Sequence, residues 1–296
     1  MKKSLLISVF FIILIGCGTR VVYFHLDWLI PWYISDYVSL DSEQKNMLEK
    51  RLLAQLDWHC RTQLPVYAGT LRALGSDVAG AENPIDVQRL KFHYSRFMEL
   101  WKVLLQEIAP DITDLMLTSS SAQIKELFSN LANRNQEFRE KYVDLPAEEL
   151  NKNRQKRMLK NLAFWISDPT PEQKQAAADW SSGLTPIAQE WLQNREMVQA
   201  YAQTLLENRN DSPEFRKKVF DLVVYPEQMW PAAYQKKVDF NTEVTFNFII
   251  QLDRLLTPEQ RTYFLKRIAS LASDFDKISC DPYAVPKGDQ KHKQDE

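Results

Sequence analysis

The chain has 296 residues, of which 45% are apolar, and its 37 Lys and Arg residues nearly balance 39 Asp and Glu residues. This balance argues against a dedicated nucleic-acid binder, which normally carries a basic excess, so no nucleic-acid partner is expected. Only seven residues are glycine, and because hairpins, tight βα turns and phosphate-binding loops all consume glycine, all-β and nucleotide-binding α/β folds are disfavoured.

The first 17 residues have the pattern of an export signal. Lys2 and Lys3 form a charged start, and residues 5–15 are almost wholly apolar. This run is too short for a membrane-spanning helix, which needs about 20 residues. Residues 14–17, Leu-Ile-Gly-Cys, resemble the bacterial lipobox, which implies removal of residues 1–16 and acylation of Cys17. The alternatives are an uncleaved anchor and a cysteine that follows an ordinary secretory signal.

The residue after this cysteine bears on the cellular address. Gly18 follows Cys17, whereas an aspartate at that place is typical of lipoproteins retained in the inner membrane. The predicted address is therefore the periplasmic face of the bacterial outer membrane. The lipid on Cys17 would be the membrane attachment.

Aromatic residues crowd the lead segment, residues 17–40. Six of them fall within fifteen positions, among them Trp28, Trp32 and Tyr33. Such rings are favoured at a membrane interface or in the groove of a partner protein. The favoured interpretation is instead that the segment packs across the helical domain and orients it under the lipid.

Apolar residues recur with helical spacing through residues 41–280, which predicts an all-α domain, an elongated or curved bundle of eight to nine helices. Prolines mark the expected helix starts, Pro110 among them, and the glycines in residues 69–84 predict the longest loop. Residues 281–296 have too few apolar side chains to offset the entropy cost of ordering and are predicted to be disordered. The clearest stripe, interpreted as a core face, comprises Leu90, Tyr94, Phe97, Met98, Trp101, Leu104, Leu105 and Ile108.

Three segments share a capping residue, a Glu-Gln pair and a cation, namely residues 41–45, 170–174 and 257–261. The Asp or Thr that opens each segment can accept a hydrogen bond from a first-turn N–H group. The Gln three residues later can bond back to the capping residue. Each copy therefore predicts a helix start, and the favoured interpretation is one helix cap used three times.

A dense basic run lies on a predicted helix and includes Lys152, Arg154, Lys156 and Arg157. It could meet anionic lipid headgroups or an acidic client. A solvated helix face is the favoured interpretation.

Export would place the two remaining cysteines in an oxidising compartment. Cys60 and Cys280 are then a candidate disulfide. Closing so long a loop contributes about 4 to 5 kcal/mol in the chain-entropy model. The alternative is that either cysteine is a buried free thiol.

Sequence motifs for catalysis are missing from the chain. It contains no glycine-rich phosphate loop, no G-x-S-x-G and no H-E-x-x-H. The four histidines are not spaced to form a metal-binding helix face. No catalytic residue, metal site or cofactor is predicted, and the alternative is an enzyme whose carboxylates converge only in space.

Two resemblances add to this interpretation. The first is to an uncharacterised family of proteobacterial lipoproteins, known as a domain of unknown function, and it extends over most of the mature chain. It implies a fold and an address but no activity, and Cys60 stands where a basic residue is expected. The residues that carry it are Leu26-Asp27-Trp28-Leu29-Ile30-Pro31-Trp32-Tyr33, Asp36-Tyr37, Gln44, Trp58-His59 and Gln63-Leu64-Pro65.

The second resemblance is local. Residues 256–260, Leu-Thr-Pro-Glu-Gln, are similar to the L-T-x-x-Q motif of small periplasmic stress chaperones of the Spy and CpxP type. Those proteins are helical, need no ATP and bind unfolded clients. We therefore predict a non-enzymatic envelope lipoprotein that binds a protein partner or client without a small-molecule cofactor. The alternatives are an envelope hydrolase with a spatially assembled carboxylate site and a purely structural lipoprotein.

Overall fold

The computed structural model describes residues 18–79 and 85–280. These residues form helices and no strands. A π-helical turn, His59–Gln63, joins α3a to α3b in one continuous helix, and Pro226–Met229 forms a 3₁₀ turn. The α-helices are α1 (Gly18–Phe24), α2 (Leu26–Ile34), α3a (Ser42–Trp58), α3b (Leu64–Ala79), α4 (Val87–Thr118), α5 (Ser121–Tyr142), α6 (Ala147–Ile166), α7 (Pro171–Gly183), α8 (Ala188–Glu207), α9 (Pro213–Val224), α10 (Ala232–Arg254) and α11 (Pro258–Lys277).

The all-α prediction is confirmed, but the predicted number of helices is wrong. The described residues contain eleven helices when α3a and α3b are counted as one, instead of eight to nine. Two of the eleven, α1 and α2, lie in the lead segment. The sequence of α2 is apolar on nearly every side, so it lacks the polar face by which a helix is recognised from its periodicity.

Two predicted boundaries are also wrong. Pro110 lies inside α4 instead of at a helix start, and Arg51 of α3a forms ion pairs with Asp111 and Asp114 just after it. The predicted loop is helical as far as Ala79, and residues 80–84 lie outside the described residues. Gly75 lies within α3b instead of marking a loop, and a Cβ atom there would lie 3.4 Å from Ile268 Cγ2 of α11.

The hydrophobic core of the described residues is divided into separate clusters. One joins α3b to α11, a second joins α6, α7 and α10, and a third joins α5, α8 and α9. A fourth surrounds Cys60 and Leu64. Because each cluster is small, we expect contacts between helices distant in sequence, such as the Cys60–Cys280 disulfide, to stabilise the arrangement of the clusters.

Several predicted segments lie outside the described residues. They are the signal peptide, Cys17 and the tail, residues 281–296. Among the residues that are described, the helices are all too short or too polar to cross a membrane.

Cys60 and Cys280 form a disulfide, with 5.5 Å between their Cα atoms and 220 positions between them in sequence. Cys60 lies in the π-helical turn and is buried. The bond therefore ties the middle of the α3 helix to the residues that follow α11. Tyr23, Tyr67 and Phe275 pack around this cross-link.

His59 lies beside the disulfide in the same π-helical turn. Its Nδ1 atom is 3.1 Å from the hydroxyl of Tyr23, and its ring packs edge-on against Tyr67 with 5.3 Å between the centroids. Burial lowers the pKa of His59 from 6.5 to about 4, because removal from water penalises the charged imidazolium.

We expect acid to destabilise the protein through His59. The unfolded chain binds a proton at the ordinary pKa of 6.5, whereas the folded chain resists it down to about pH 4. Lowering the pH from 7 to 4 therefore costs about 3 kcal/mol of stability through this group. Chemical denaturation across that range should give a smaller loss for His59→Phe than for the wild type. Parallel stability curves for the two proteins would contradict this assignment.

Candidate functional site

An apolar stripe on α4 is largely exposed. Its members are 38 to 47% exposed, and helical spacing places them on one face. From first to last they span fourteen positions, or about 21 Å at 1.5 Å per residue. We call this surface the α4 stripe, and it comprises Val87, Tyr94, Phe97, Met98 and Trp101.

The prediction that residues 90–108 form a core face is therefore wrong for its N-terminal half. The buried side chains there are His93 and Leu100, which lie about 100° from the stripe around the helix axis. Periodicity indicates that apolar residues share a face, but it does not indicate whether another element covers that face.

Contacts on both flanks fix the α4 stripe in place. His93 Nε2 lies 2.8 Å from Asp77 Oδ2 of α3b, and Lys91 pairs with Glu243 of α10 at 2.7 Å. The ring of Tyr94 packs edge-on against Phe246 of α10, with 5.4 Å between centroids. The stripe is thus a surface held between two anchored flanks.

Charged residues form a rim along one edge of the stripe. Lys91, in its ion pair with Glu243, and Lys102, which lies over the ring of Tyr225 at 4.5 Å, border this edge. An apolar centre with a charged rim is the usual anatomy of a protein-binding surface. Tyr, Trp and Met are among the residues enriched in such centres.

Glutamine side chains join four helix starts in two pairs. In the first pair, Gln44 Nε2 donates to Gln123 Oε1 at 3.1 Å and Gln123 Nε2 donates to Gln44 Oε1 at 2.6 Å. In the second, Gln173 and Gln260 exchange the same two hydrogen bonds at 2.6 and 3.0 Å. We call these pairs the N-terminal and the C-terminal glutamine clasp.

Each clasp glutamine satisfies every polar atom of its amide. Its oxygen also accepts from the backbone N–H of its own capping residue, which closes a capping box. Its nitrogen also donates to a carbonyl beside the partner's helix start. These acceptors are Thr118 for Gln44, Ser39 for Gln123, Leu255 for Gln173 and Asp168 for Gln260, at 2.8 to 3.1 Å.

The three predicted helix starts are confirmed as capping boxes, but the fourth capping box, at the start of α5, and the pairing of the glutamines were missed. Ser120 and Gln123 open α5 without the Glu-Gln pair of the other copies. The clasp partners are 79 and 87 positions apart. A search for any cap followed by Gln three residues later, at two similar separations, could have found both pairs.

The three aromatic residues that were predicted to interact from the lead segment, Trp28, Trp32 and Tyr33, differ in how far they are exposed. Trp28 and Trp32 are 61 and 41% exposed, and their rings stack with 6.0 Å between centroids. Tyr33 is half-buried, and its hydroxyl lies 2.7 Å from that of Tyr37. Burial raises the pKa of Tyr33, and the hydrogen bond to Tyr37 makes the next largest contribution to this increase. Tyr33 is thus partly covered, whereas both tryptophans are exposed.

One residue of the basic run leaves the exposed face of α6. Arg154 turns inward and donates to the carbonyl of Ser181 at 2.8 Å, and burial, assisted by the charge of Arg157, lowers its pKa. Arg157 lies 5.5 Å from the ring centroid of Tyr142. Lys152 and Lys156 are exposed. This arrangement favours the interpretation of a solvated helix face.

The family of the chain follows from a comparison with known families. The model of a family of unknown function (DUF6279) matches residues 36–235. The chain belongs to this family. No curated protein and no solved structure matches the chain significantly. The part matched to the DUF6279 family contains the α4 stripe and the N-terminal clasp, but it ends before Gln260.

Acidic residues in this member of the DUF6279 family serve structural contacts. Buried Asp253 pairs with Arg261 at 2.9 Å and accepts from the backbone N–H of Ile85 at 2.8 Å. Asp114 lies between Arg51 and Arg216. Within residues 18–79 and 85–280, His, Cys, Asp and Glu form no group that could hold a metal ion. Asp114 and Asp253 are therefore engaged in contacts that join helices.

Proposed function

We propose that this chain is a non-enzymatic, protein-binding lipoprotein at the periplasmic face of the outer membrane, acting as a chaperone-like holdase or as an accessory subunit of an envelope assembly. The observation that carries the proposal is the α4 stripe. Its five apolar side chains are each more than a third exposed. Contiguous exposed apolar surface of this kind is typical of interaction sites.

The stripe is suited to bind extended apolar segments of another protein. Its length of about 21 Å would accept six or so residues of an extended strand at about 3.3 Å each. Met98 can adapt to different side chains because its unbranched thioether side chain is flexible. The charged rim would keep the unoccupied surface soluble.

The anchor supports the proposed address. The lipobox-like residues 14–17 supply the predicted attachment, and a lipid-held binding surface would meet clients next to the membrane. The residues of the L-T-x-x-Q resemblance do not form part of the proposed binding surface, because Gln260 is buried in the C-terminal clasp. We therefore assign client binding to the α4 stripe and a scaffold role to this motif.

An aggregation assay tests the proposal. The mature chain with Cys17→Ser, and hence no lipid, is mixed with a chemically unfolded client without nucleotide. We expect protection near one-to-one. Phe97→Ser with Trp101→Ser should raise the ratio needed for half-protection about tenfold, because central aromatic residues dominate binding energy.

The matched control is Phe240→Ser, which removes an aromatic ring that is 51% exposed on α10. It should change the half-protection ratio less than about twofold, since scattered exposed apolar residues are ordinary on protein surfaces. Equal losses in both variants would reject the stripe as the binding site. Failure of the wild type at large excess would reject a general holdase, and crosslinking from position 97 in cells would then identify a dedicated partner.

A further inference from the structure

α2 is an apolar helix without a buried residue. Its nine residues are Leu-Asp-Trp-Leu-Ile-Pro-Trp-Tyr-Ile, and none of them is buried in the described structure. By contrast, the less apolar α3b buries five side chains. A helix that is hydrophobic on nearly all sides is normally buried in protein or in a membrane. We therefore expect the apolar surface of α2 to contact something beyond the described residues.

The exposed side chains of the lead helices are of the type that favours a membrane interface. Trp28 and Trp32 are one turn apart and stack on each other, and Val21 of α1 is 50% exposed. Tryptophan is enriched at the headgroup level because its ring is apolar and its N–H is polar.

A partly apolar groove adjoins this surface between α2 and α3a. It has a volume of about 300 Å³, and its lining combines Pro31, Leu48, Leu52 and Leu53 with the charged residues Asp27, Lys45 and Glu49. Leu53 is itself 40% exposed. Because of this groove, the side of α2 that faces the domain is also incompletely covered.

The position of the predicted lipid indicates what covers α2. Gly18, the first residue of α1, directly follows Cys17. Trp28 is eleven positions from Cys17, which a helical path covers in about 17 Å at most. Acylation would place Cys17 at the membrane surface, so α1 and α2 are the described helices nearest to the bilayer along the chain.

We propose that α1 and α2 lie in the headgroup region of the membrane, with Val21, Trp28 and Trp32 among the lipids. We call these two helices the membrane foot. This inference rests on the proposed lipid attachment of Cys17. The foot would hold the protein by contacts beyond the acyl chains.

Contacts on the opposite side of the foot join it to the domain. The Tyr23 hydroxyl donates to the Leu56 carbonyl at 3.3 Å and contacts His59. Asn130 Nδ2 donates to the Tyr37 carbonyl at 3.0 Å, immediately after the foot. Because these contacts fix the foot on the domain, lipid contact would set the orientation of the α4 stripe relative to the membrane.

The charges of the foot predict the kind of lipid contact. α1 and α2 contain one arginine, Arg20, and one acid, Asp27. With no basic excess, binding would depend on apolar burial rather than on anionic lipids. Contact should therefore persist in zwitterionic vesicles and at high salt.

Tryptophan quenching in vesicles tests the foot. The full lipidated protein is reconstituted into zwitterionic vesicles with or without brominated acyl chains, which quench nearby tryptophans. The foot holds two of the eight tryptophans, so the emission should fall by about a quarter. Trp28→Phe with Trp32→Phe should abolish this fall, whereas the control Trp101→Phe should preserve it.

The outcomes separate the foot from the anchor and from client binding. Protein that floats with vesicles without quenching, or a photocrosslink from position 28 to a protein instead of lipid, would overturn the foot and leave the anchor intact. Protein that fails to float would reject the lipid attachment itself. If both proposals hold, Trp28→Phe with Trp32→Phe retains client protection in the aggregation assay.

Discussion

Loss of the Cys60–Cys280 disulfide is expected to lower the free energy of unfolding by about 5 kcal/mol. The bond closes a loop of 220 positions, so its absence returns a large conformational entropy to the unfolded chain. Cys60 is buried beside Leu64 and Ile278. The divided core offers few other links between the middle of α3 and the end of α11, and these ends should fray when the bond is reduced.

Denaturant unfolding with and without reductant measures this loss directly. Cys60→Ala with Cys280→Ala serves as the control, because reductant should leave its unfolding midpoint unchanged. The double variant should unfold near the midpoint of the reduced wild type. A reduced wild type as stable as the oxidised protein would show that the cross-link contributes nothing to the fold.

Local features of the fold could be predicted from the sequence. Asp41, Thr170 and Thr257 open helices with closed capping boxes, as predicted. A capping box involves residues three positions apart, so short-range chemistry determines it. The lead helices were missed because helices are recognised from the contrast between an apolar and a polar face. The apolar residues of α2 give no such contrast.

Features that depend on distant contacts could not be predicted. The spacing of Tyr94, Phe97 and Trp101 shows a shared face, but only the positions of α3b and α10 reveal that the face is uncovered. The π-helical turn His59–Gln63 is a further example. The single extra residue in this turn rotates the following helix by about 100°. The local sequence pattern did not predict the π-helical turn.

The N-terminal clasp and the α4 stripe lie at opposite ends of α4. Gln44 donates to the carbonyl of Thr118 at the C-terminal end of α4, and Arg51 and Arg216 both pair with Asp114 near that end. The exposed stripe occupies the other end of the helix. Attachment at the C-terminal end, together with the contacts of His93 and Lys91, would hold the direction of the stripe fixed for the proposed contact with a client.

Replacement of Gln173 is expected to be the most damaging change in either clasp. Gln173 is fully buried, and Gln173→Ala would leave the Thr170 N–H, the Leu255 carbonyl and the Gln260 amide without this partner. Unsatisfied buried groups cost about 1 to 3 kcal/mol each. We expect a total loss of about 4 kcal/mol, measured by denaturant unfolding.

The control is Gln175→Ala on the same helix, where the exposed amide bonds only to Asp179. It should change stability by less than about 0.5 kcal/mol. Gln44→Ala should cost less than Gln173→Ala, because its partner Gln123 is half-buried and water can replace part of the lost bonding.

A double-mutant cycle separates the clasp from the capping boxes. Each single replacement, Gln173→Ala or Gln260→Ala, removes one capping box and leaves the other amide without its clasp partner. The double variant removes both amides together, so it should be about 1 to 2 kcal/mol more stable than the sum of the single losses predicts. Strictly additive losses would mean that the two glutamines act only as separate helix caps. A coupling of the expected size would show that the amide pair itself links the start of α7 to the start of α11.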